Sequence, residues 1–453
     1  MLRGCAECKV VSLQALKRLV VTVFFVIASC VIEASEIEDS IDFDESSFDV
    51  DIADLSDEAE NKEKNWRLNF SWRNGIDLNA LDNTRSHRFD TRLDWGTLLL
   101  NEYFLKFDGK AILRLPGDDN QSNQASSEWD WRLREFYLQD SLRQWTFTAG
   151  FQALSLGEMD AVQVVDLLAP WDYSEFAFTA PEDARLGQLL FNVEWHGVKS
   201  LWQFIYSPWP LSNRYPGGDA GSILRQLLGD QSFSIKDKQP KPLTDNEILL
   251  KWQSNIQGSD ITLTYASLLN NDPVFHVTGD GVVRQFDTEY FRFNLFAFGA
   301  NLSSGNFLWK FEAAYKQNMK YQPATQPVFT SNEIVVAFGL DYDANGAWRF
   351  TLETLNRRIL ASENHLRGLD KNSTQIVSRW SKNWLYETFS TVLFTSYQLQ
   401  YGDIISSLAF DYMIDDHWQS RLVGSVFHSS DVKSPGQLTK NWDQLTLSVS
   451  YTF

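Results

Sequence analysis

The sequence predicts an all-β chain folded as one transmembrane antiparallel β-barrel of sixteen to eighteen strands, with eighteen preferred, and with one loop folded inward. Three observations carry this. Apolar and polar residues alternate with period two in segment after segment, the connections between segments alternate between short and long, and the chain opens on a stretch with the make-up of an export leader.

The leader comes first. Lys9, Lys17 and Arg18 precede an apolar run from Leu19 to Ile32, which is short for a bilayer span and is followed at once by acidic residues. Ile32-Glu33-Ala34 allows cleavage after Ala34. Ile27-Ala28-Ser29-Cys30 also reads as a lipobox with Cys30 acylated, but large barrels are seldom lipoproteins and the first site is preferred. The expected organisation is therefore a signal peptide over 1–34, an acidic disordered tail over 35–65 and a barrel over 66–453. Cys5, Cys8 and Cys30 all lie in the leader, so disulfides, thiol catalysis and cysteine metal sites are denied to the mature chain. The leader holds four Lys and Arg against two Glu, so a net charge of −19 becomes −21 on its removal, and this argues against nucleic acid as a partner.

The tail reads I-D-F-D-E-S-S-F-D-V-D-I-A-D-L at its centre, too acidic and too poor in apolar surface to order itself. It is either a bare periplasmic tail or a docking peptide for a periplasmic partner, with Phe43, Phe48 and Ile52 as anchors.

Strands begin at Trp66. Trp66, Leu68, Phe70, Trp72 and Ile76 alternate with Arg67, Asn69, Ser71, Arg73 and Asp77. Phe89, Thr91, Leu93 and Trp95 are set against Arg88, Asp90, Arg92 and Asp94, and Tyr103, Leu105, Phe107, Ala111 and Leu113 against Glu102, Lys106, Asp108, Lys110 and Arg114. One face is too oily for water. The other is too charged for a core, because unpaired buried ions cost several kcal/mol each, whereas a water-filled lumen accepts it. Further candidates fall near 129–140, 144–152, 184–195, 199–207, 246–256, 260–268, 289–302, 306–318, 333–342, 347–357, 374–381, 384–398, 402–413, 417–428 and 441–453. A phase shift at Trp131-Arg132-Leu133-Arg134 marks a bulge or a misplaced boundary.

Connections after even-numbered candidates are turn-like, such as His196-Gly197-Val198 and Ser303-Ser304-Gly305. Those after odd-numbered ones are mostly long, with Tyr401-Gly402 the exception. Short periplasmic turns and long external loops are expected of a bacterial barrel with both termini inside. An aromatic load of 17 Trp, 15 Tyr and 32 Phe suits the girdles at its two membrane interfaces. The last strand sets Leu445, Leu447, Val449, Tyr451 and Phe453 against Thr446, Ser448, Ser450 and Thr452. It resembles the terminal strand of bacterial outer-membrane barrels. That resemblance implies an outer-membrane location, contact with lipid and recognition by the barrel-assembly machinery through this strand.

The stretch 150–185 mixes apolar residues with Glu158, Asp160, Asp166, Asp172 and Glu175. An external loop with Val164, Val165, Leu167 and Leu168 at its centre should not lie in water. It is expected either to fold inward, bringing carboxylates to a pore constriction, or to pack as an external lid. Arg67, Arg73, Arg88, Arg92, Lys106, Arg132 and Arg134, with Lys110 and Arg114, fall on the polar face of the first four strands. They either form a basic wall opposed to the loop or pair with Asp77, Asp90, Asp94 and Asp108 to stiffen the barrel. The loop after Pro208-Trp209-Pro210, with a short helix over 222–228, reads as a surface cap.

Gly150, Gln152, Gly157, Glu158, Asp160, Asp166, Pro170 and Asp172 resemble a motif of a proteobacterial family of outer-membrane barrels, some encoded beside exporters of hydrophobic compounds. Phe151 and Leu156 stand where that family has Arg and Trp. The resemblance implies passage of a hydrophobic or amphipathic solute past Glu158, Asp160, Asp166 and Asp172. The residues themselves point to passive, selective passage of small solutes with no cofactor or metal. A lipid hydrolase would need a Ser beside a His, for which His428-Ser429-Ser430 is the best site although no G-x-S-x-G accompanies it. A third reading is a structural or adhesin barrel plugged by its loops.

Overall fold

The structure is a computed structural model and describes residues 65–81, 84–100, 102–116, 127–173, 184–215, 233–256, 258–278, 284–322, 327–362, 369–431 and 434–453. The leader, the tail to residue 64, Glu175 and the helix expected over 222–228 lie outside them.

Strands β1 (Trp66–Asp77), β2 (Thr84–Leu99), β3 (Tyr103–Arg114), β4 (Glu128–Leu142), β5 (Trp145–Gln152), β6 (Gln188–His196) and β7 (Ser200–Trp209) follow one another as antiparallel neighbours. β8 (Phe233–Lys236) leaves the wall. The wall resumes with β9 (Glu247–Ile256) and β10 (Ser259–Leu269), and after β11 (Val274–Thr278) and β12 (Arg284–Glu289) with β13 (Arg292–Ser304). It continues through β14 (Phe307–Tyr321), β15 (Phe329–Asp343), β16 (Trp348–Ile359), β17 (Asn372–Trp384), β18 (Phe389–Gln398), β19 (Asp403–Met413), β20 (Trp418–His428) and β21 (Gln444–Thr452). β21 pairs with both β20 and β1, so eighteen strands close on themselves and leave no open edge. β8, β11 and β12 form a separate three-stranded sheet within the long connections, which the sequence reading treated as loop.

The strand count and the alternation of connections agree with the prediction. Several boundaries differ, among them the start of β6, at Gln188 and not 184, and the start of β15, at Phe329 and not 333. The break placed between 381 and 384 falls instead at Leu385, Tyr386 and Glu387, all with positive φ, so β17 runs on to Trp384. The candidate at 289–302 begins at Arg292, and Glu289 belongs to β12. The phase shift near Trp131 is a bulge. The register slips between Asp108 and Gly109, which face Glu135 and Leu133, leaving Arg134 as the extra residue.

Parity decides which face meets lipid. Phe70, Phe89, Leu93, Phe204, Leu263, Phe298 and Phe338 are exposed outward, and aromatic residues next to the short turns, among them Trp145, Trp202, Phe307, Tyr412 and Trp418, form a rim. On β21, Leu445, Leu447, Val449, Tyr451 and Phe453 take the outer parity. Tyr451 packs edge-on to Trp418 and Phe453 edge-on to Phe70, sealing the closing seam. Among the described residues no helix is long and apolar enough to cross a membrane.

The core lies inside the barrel. On β7, β9, β10 and β13–β15 the inner face carries an apolar patch among its polar residues, with Ile205, Leu249, Ala266, Leu268, Leu295, Ala314, Val335 and Ala337 buried. Leu156, Met159, Val162, Val164, Val165 and Leu168 of the β5–β6 connection pack against them in one cluster. The loop therefore folds inward. Each of these side chains contributes on the order of 1.5–3 kcal/mol by leaving water.

Candidate functional site

Backbone buried in a lumen must find partners, and the barrel wall supplies them. The Glu353 carboxylate on β16 accepts three N–H groups of the loop, from Asp160 at 2.8 Å, Ala161 at 2.9 Å and Val162 at 3.0 Å. Glu312 on β14 accepts the N–H of Glu158. Lys251 donates to the Leu156 carbonyl at 3.2 Å and Asn271 to that of Leu167 at 3.0 Å. The loop's outgoing and returning legs pair at Trp171 and Arg185, and Asp172 bridges to Arg214 of the next long connection.

The described acidic residues Glu158, Asp160, Asp166 and Asp172 fasten the loop. Glu158 takes hydrogen bonds from Asn301 at 2.9 Å and Thr262 at 3.3 Å, and Asp160 pairs with Lys310 at 2.6 Å. Buried Asp166 accepts from Arg185 Nε at 2.8 Å and buried Asp172 pairs with Arg132 at 2.8 Å. Burial pushes the Asp166 carboxyl up and Arg185 opposes that shift. Asp166 and Asp172 thus meet cations in place of water, whereas Asp160 keeps a largely exposed carboxylate beside Lys310. The motif residues share this role. Gln152 donates to the Leu190 carbonyl at 3.1 Å and the Pro170 carbonyl accepts from Leu186.

Glycine is required at both ends of the loop. Gly150 sits at φ +136°, where a Cβ would lie 2.2 Å from the Phe136 carbonyl oxygen, and a Cβ on Gly187 would lie 2.1 Å from that of Arg134. Gly187→Ala is expected to push the returning leg off the β4 bulge while the rest of the barrel forms. The check is heat-modifiable gel migration, which should persist, combined with single-channel current, which should become noisy and heterogeneous.

The basic residues of β1–β4 divide. Arg73, Arg92, Arg132 and Arg134 line a cavity of about 190 Å³ together with Lys110, and the loop contributes Arg185. The anions on that lining are Asp90, Asp108 and Asp172, so six cations face three carboxylates. Arg67 is exposed near the short-turn rim opposite Asp94, where Lys106 also pairs, and Arg88 is buried against Asp90 at 3.2 Å. The wall is thus both things at once. Its ion pairs are real, with Arg92 bidentate on Asp108 at 2.8 and 2.7 Å, yet its charge does not cancel.

Sequence reasoning missed Arg185, Lys310, Glu312 and Glu353. The signal available was the loss of alternation in Ile248-Leu249-Leu250 and Ile334-Val335-Val336-Ala337-Phe338, which marks wall apolar on both faces and hence covered on the inside. His428 ends β20 exposed, Ser429 accepts from Gln437 at 3.1 Å and Ser430 donates to the Tyr401 carbonyl at 2.8 Å. That arrangement gives the hydrolase reading no support.

No family model matches the chain, so the motif resemblance gains nothing from that comparison, and no curated protein matches it. Solved structures do. OccK2 of Pseudomonas aeruginosa, solved in complex with glucuronate, superposes with a TM-score of 0.51 at 9% identity over 86% of this chain and 97% of its own. OccAB1 of Acinetobacter baumannii gives 0.50 at 8% identity over 86% of this chain and 95% of its own. The likeness is one of fold. This is a porin-like β-barrel.

Proposed function

We propose that the protein is a passive outer-membrane channel that favours small anionic solutes, carboxylates among them. The carrying observation is the charge of the cavity lining, where six cations stand against three carboxylates within a chain of net charge −19. Clefts focus the field of such charges, and the long-range negative charge is screened beyond a Debye length of about 8 Å at physiological salt. An anion entering the lumen meets guanidinium groups held rigid by Asp90, Asp108 and Asp172, between the basic wall and the fastened loop. Lipid covers the outer aromatic and aliphatic face. The apolar parity of β21 serves as the strand that the barrel-assembly machinery reads, and the acidic tail is left for a periplasmic partner. The loop carboxylates Asp160, Asp166 and Asp172 each have a cation beside them, which supports the anionic reading over one in which they set the selectivity.

The test is a planar bilayer holding the purified protein across a potassium chloride gradient. Discrete conductance steps with a reversal potential of the sign for chloride preference are expected. Potassium preference would overturn the anionic reading, and a folded barrel without steps would overturn the channel and return the loop-plugged barrel.

A further inference from the structure

The cavity has a second wall of a different chemistry. Asn69 and Ser71 of β1 line it beside Arg73. Their register partners on β21 are Thr452 and Ser450, while Arg73 faces Ser448. Asn69 Nδ2 donates to Thr452 Oγ1 at 2.9 Å, so the two strands present these side chains on one shared inner face. Gln419 of β20 comes next, opposite Ser450. Ser71, Ser448 and Ser450 are all partly exposed. Every inner position of β1 and β21 is Arg, Asn, Ser, Gly, Asp, Gln or Thr, and none is aliphatic. The two apolar side chains on the cavity lining, Leu133 of β4 and Leu186 of the loop, come from neither β1 nor β21, and the large apolar inner wall lies under the loop.

We infer that the constriction selects hydroxylated carboxylates of the sugar-acid class, the carboxylate held by the cations of β1–β4 and Arg185 and the hydroxyls passed along Asn69, Ser71, Ser448 and Ser450. This rests on the anion-channel reading above and adds the discriminating wall. Serine and asparagine both donate and accept, so they replace the water that a polyol gives up on entering a narrow passage. A hydrocarbon tail of the same length gains nothing from them and leaves them unpaired, which is how a hydrogen-bonding site rejects the analogue lacking the hydroxyl.

Gluconate and hexanoate share six carbons and one carboxylate. Their permeabilities relative to chloride are read from bi-ionic reversal potentials across bilayers holding the full protein. Gluconate is expected to exceed hexanoate by about three- to tenfold, the value of one or two neutral hydrogen bonds, although hexanoate is the smaller ion. In the triple variant S71A/S448A/S450A the ratio should fall to one or below while chloride preference over potassium is kept. The matching Ser→Thr variant, which retains the hydroxyls, should hold the ratio. Hexanoate passing as readily as gluconate through a chloride-selective wild type overturns this inference alone, as does an unchanged ratio in the alanine variant. A wild type that prefers potassium overturns it together with the anion reading.

Discussion

Replacing Arg73, Lys110 and Arg134 together by glutamine is expected to lower the chloride-to-potassium permeability ratio about tenfold, taking the channel close to no preference. The three leave Arg92, Arg132 and Arg185 facing Asp90, Asp108 and Asp172, which brings the lining to neutrality. Each partly solvated charge acts on a passing ion a few ångströms away with about 0.5 kcal/mol after screening, and three such changes are worth roughly a factor of ten. Asp90→Asn, which removes one anion from the same lining, should move the reversal potential the other way. The substitutions are conservative in length and lie on the wetted face, so the barrel should keep its heat-modifiable migration. A ratio unmoved by the triple variant would place the selectivity somewhere other than this cavity.

The second large effect is expected at Glu353. Its carboxylate takes three loop N–H groups, and a hydrogen bond to a charged group is worth about 1.5–3 kcal/mol. Glu353→Ala leaves those donors unpaired inside the barrel and should release the 156–162 segment from the wall, with Glu312→Ala adding to the effect through Glu158. Conductance is expected to rise on the order of twofold, with frequent substates, because the loop occupies cross-section that ions would otherwise use. Glu353→Gln keeps one acceptor oxygen and should fall between. The strand ladders on either side of Glu353, to Gly339 on β15 and Val377 on β17, are backbone pairings that these changes leave in place. Unchanged conductance in the double alanine variant would mean that apolar packing alone fixes the loop.

Much of the barrel could be read from the chain because its determinants are local. A strand with lipid on one side and water on the other must alternate, and Trp66-Arg67-Leu68-Asn69-Phe70 does so visibly. Turn residues such as Gly258, Gly305 and Asn345-Gly346 carry positive φ because two-residue and four-residue reversals demand it. The break between β17 and β18 was misplaced for the same reason in reverse. Leu385, Tyr386 and Glu387 take the left-handed region without glycine among them, and nothing in their side chains announces a turn.

The site was legible only by halves. Residue types and parity placed Arg73, Arg92, Lys110, Arg132 and Arg134 on one inner face, and the apolar centre of the 150–185 stretch required it to be buried. Whether Asp160, Asp166 and Asp172 would be free charges or fastenings depended on which cations stood opposite. Lys310 is 150 residues from Asp160 in the chain and Glu353 is 193. Alternation and turn chemistry are set by neighbours one or two positions apart, so the sequence by itself determined the strands of the barrel wall and their polarity, while β8, β11 and β12 stayed hidden in the long connections. The charge of the cavity lining is a sum over side chains brought together by barrel closure, and only the tertiary structure supplies it.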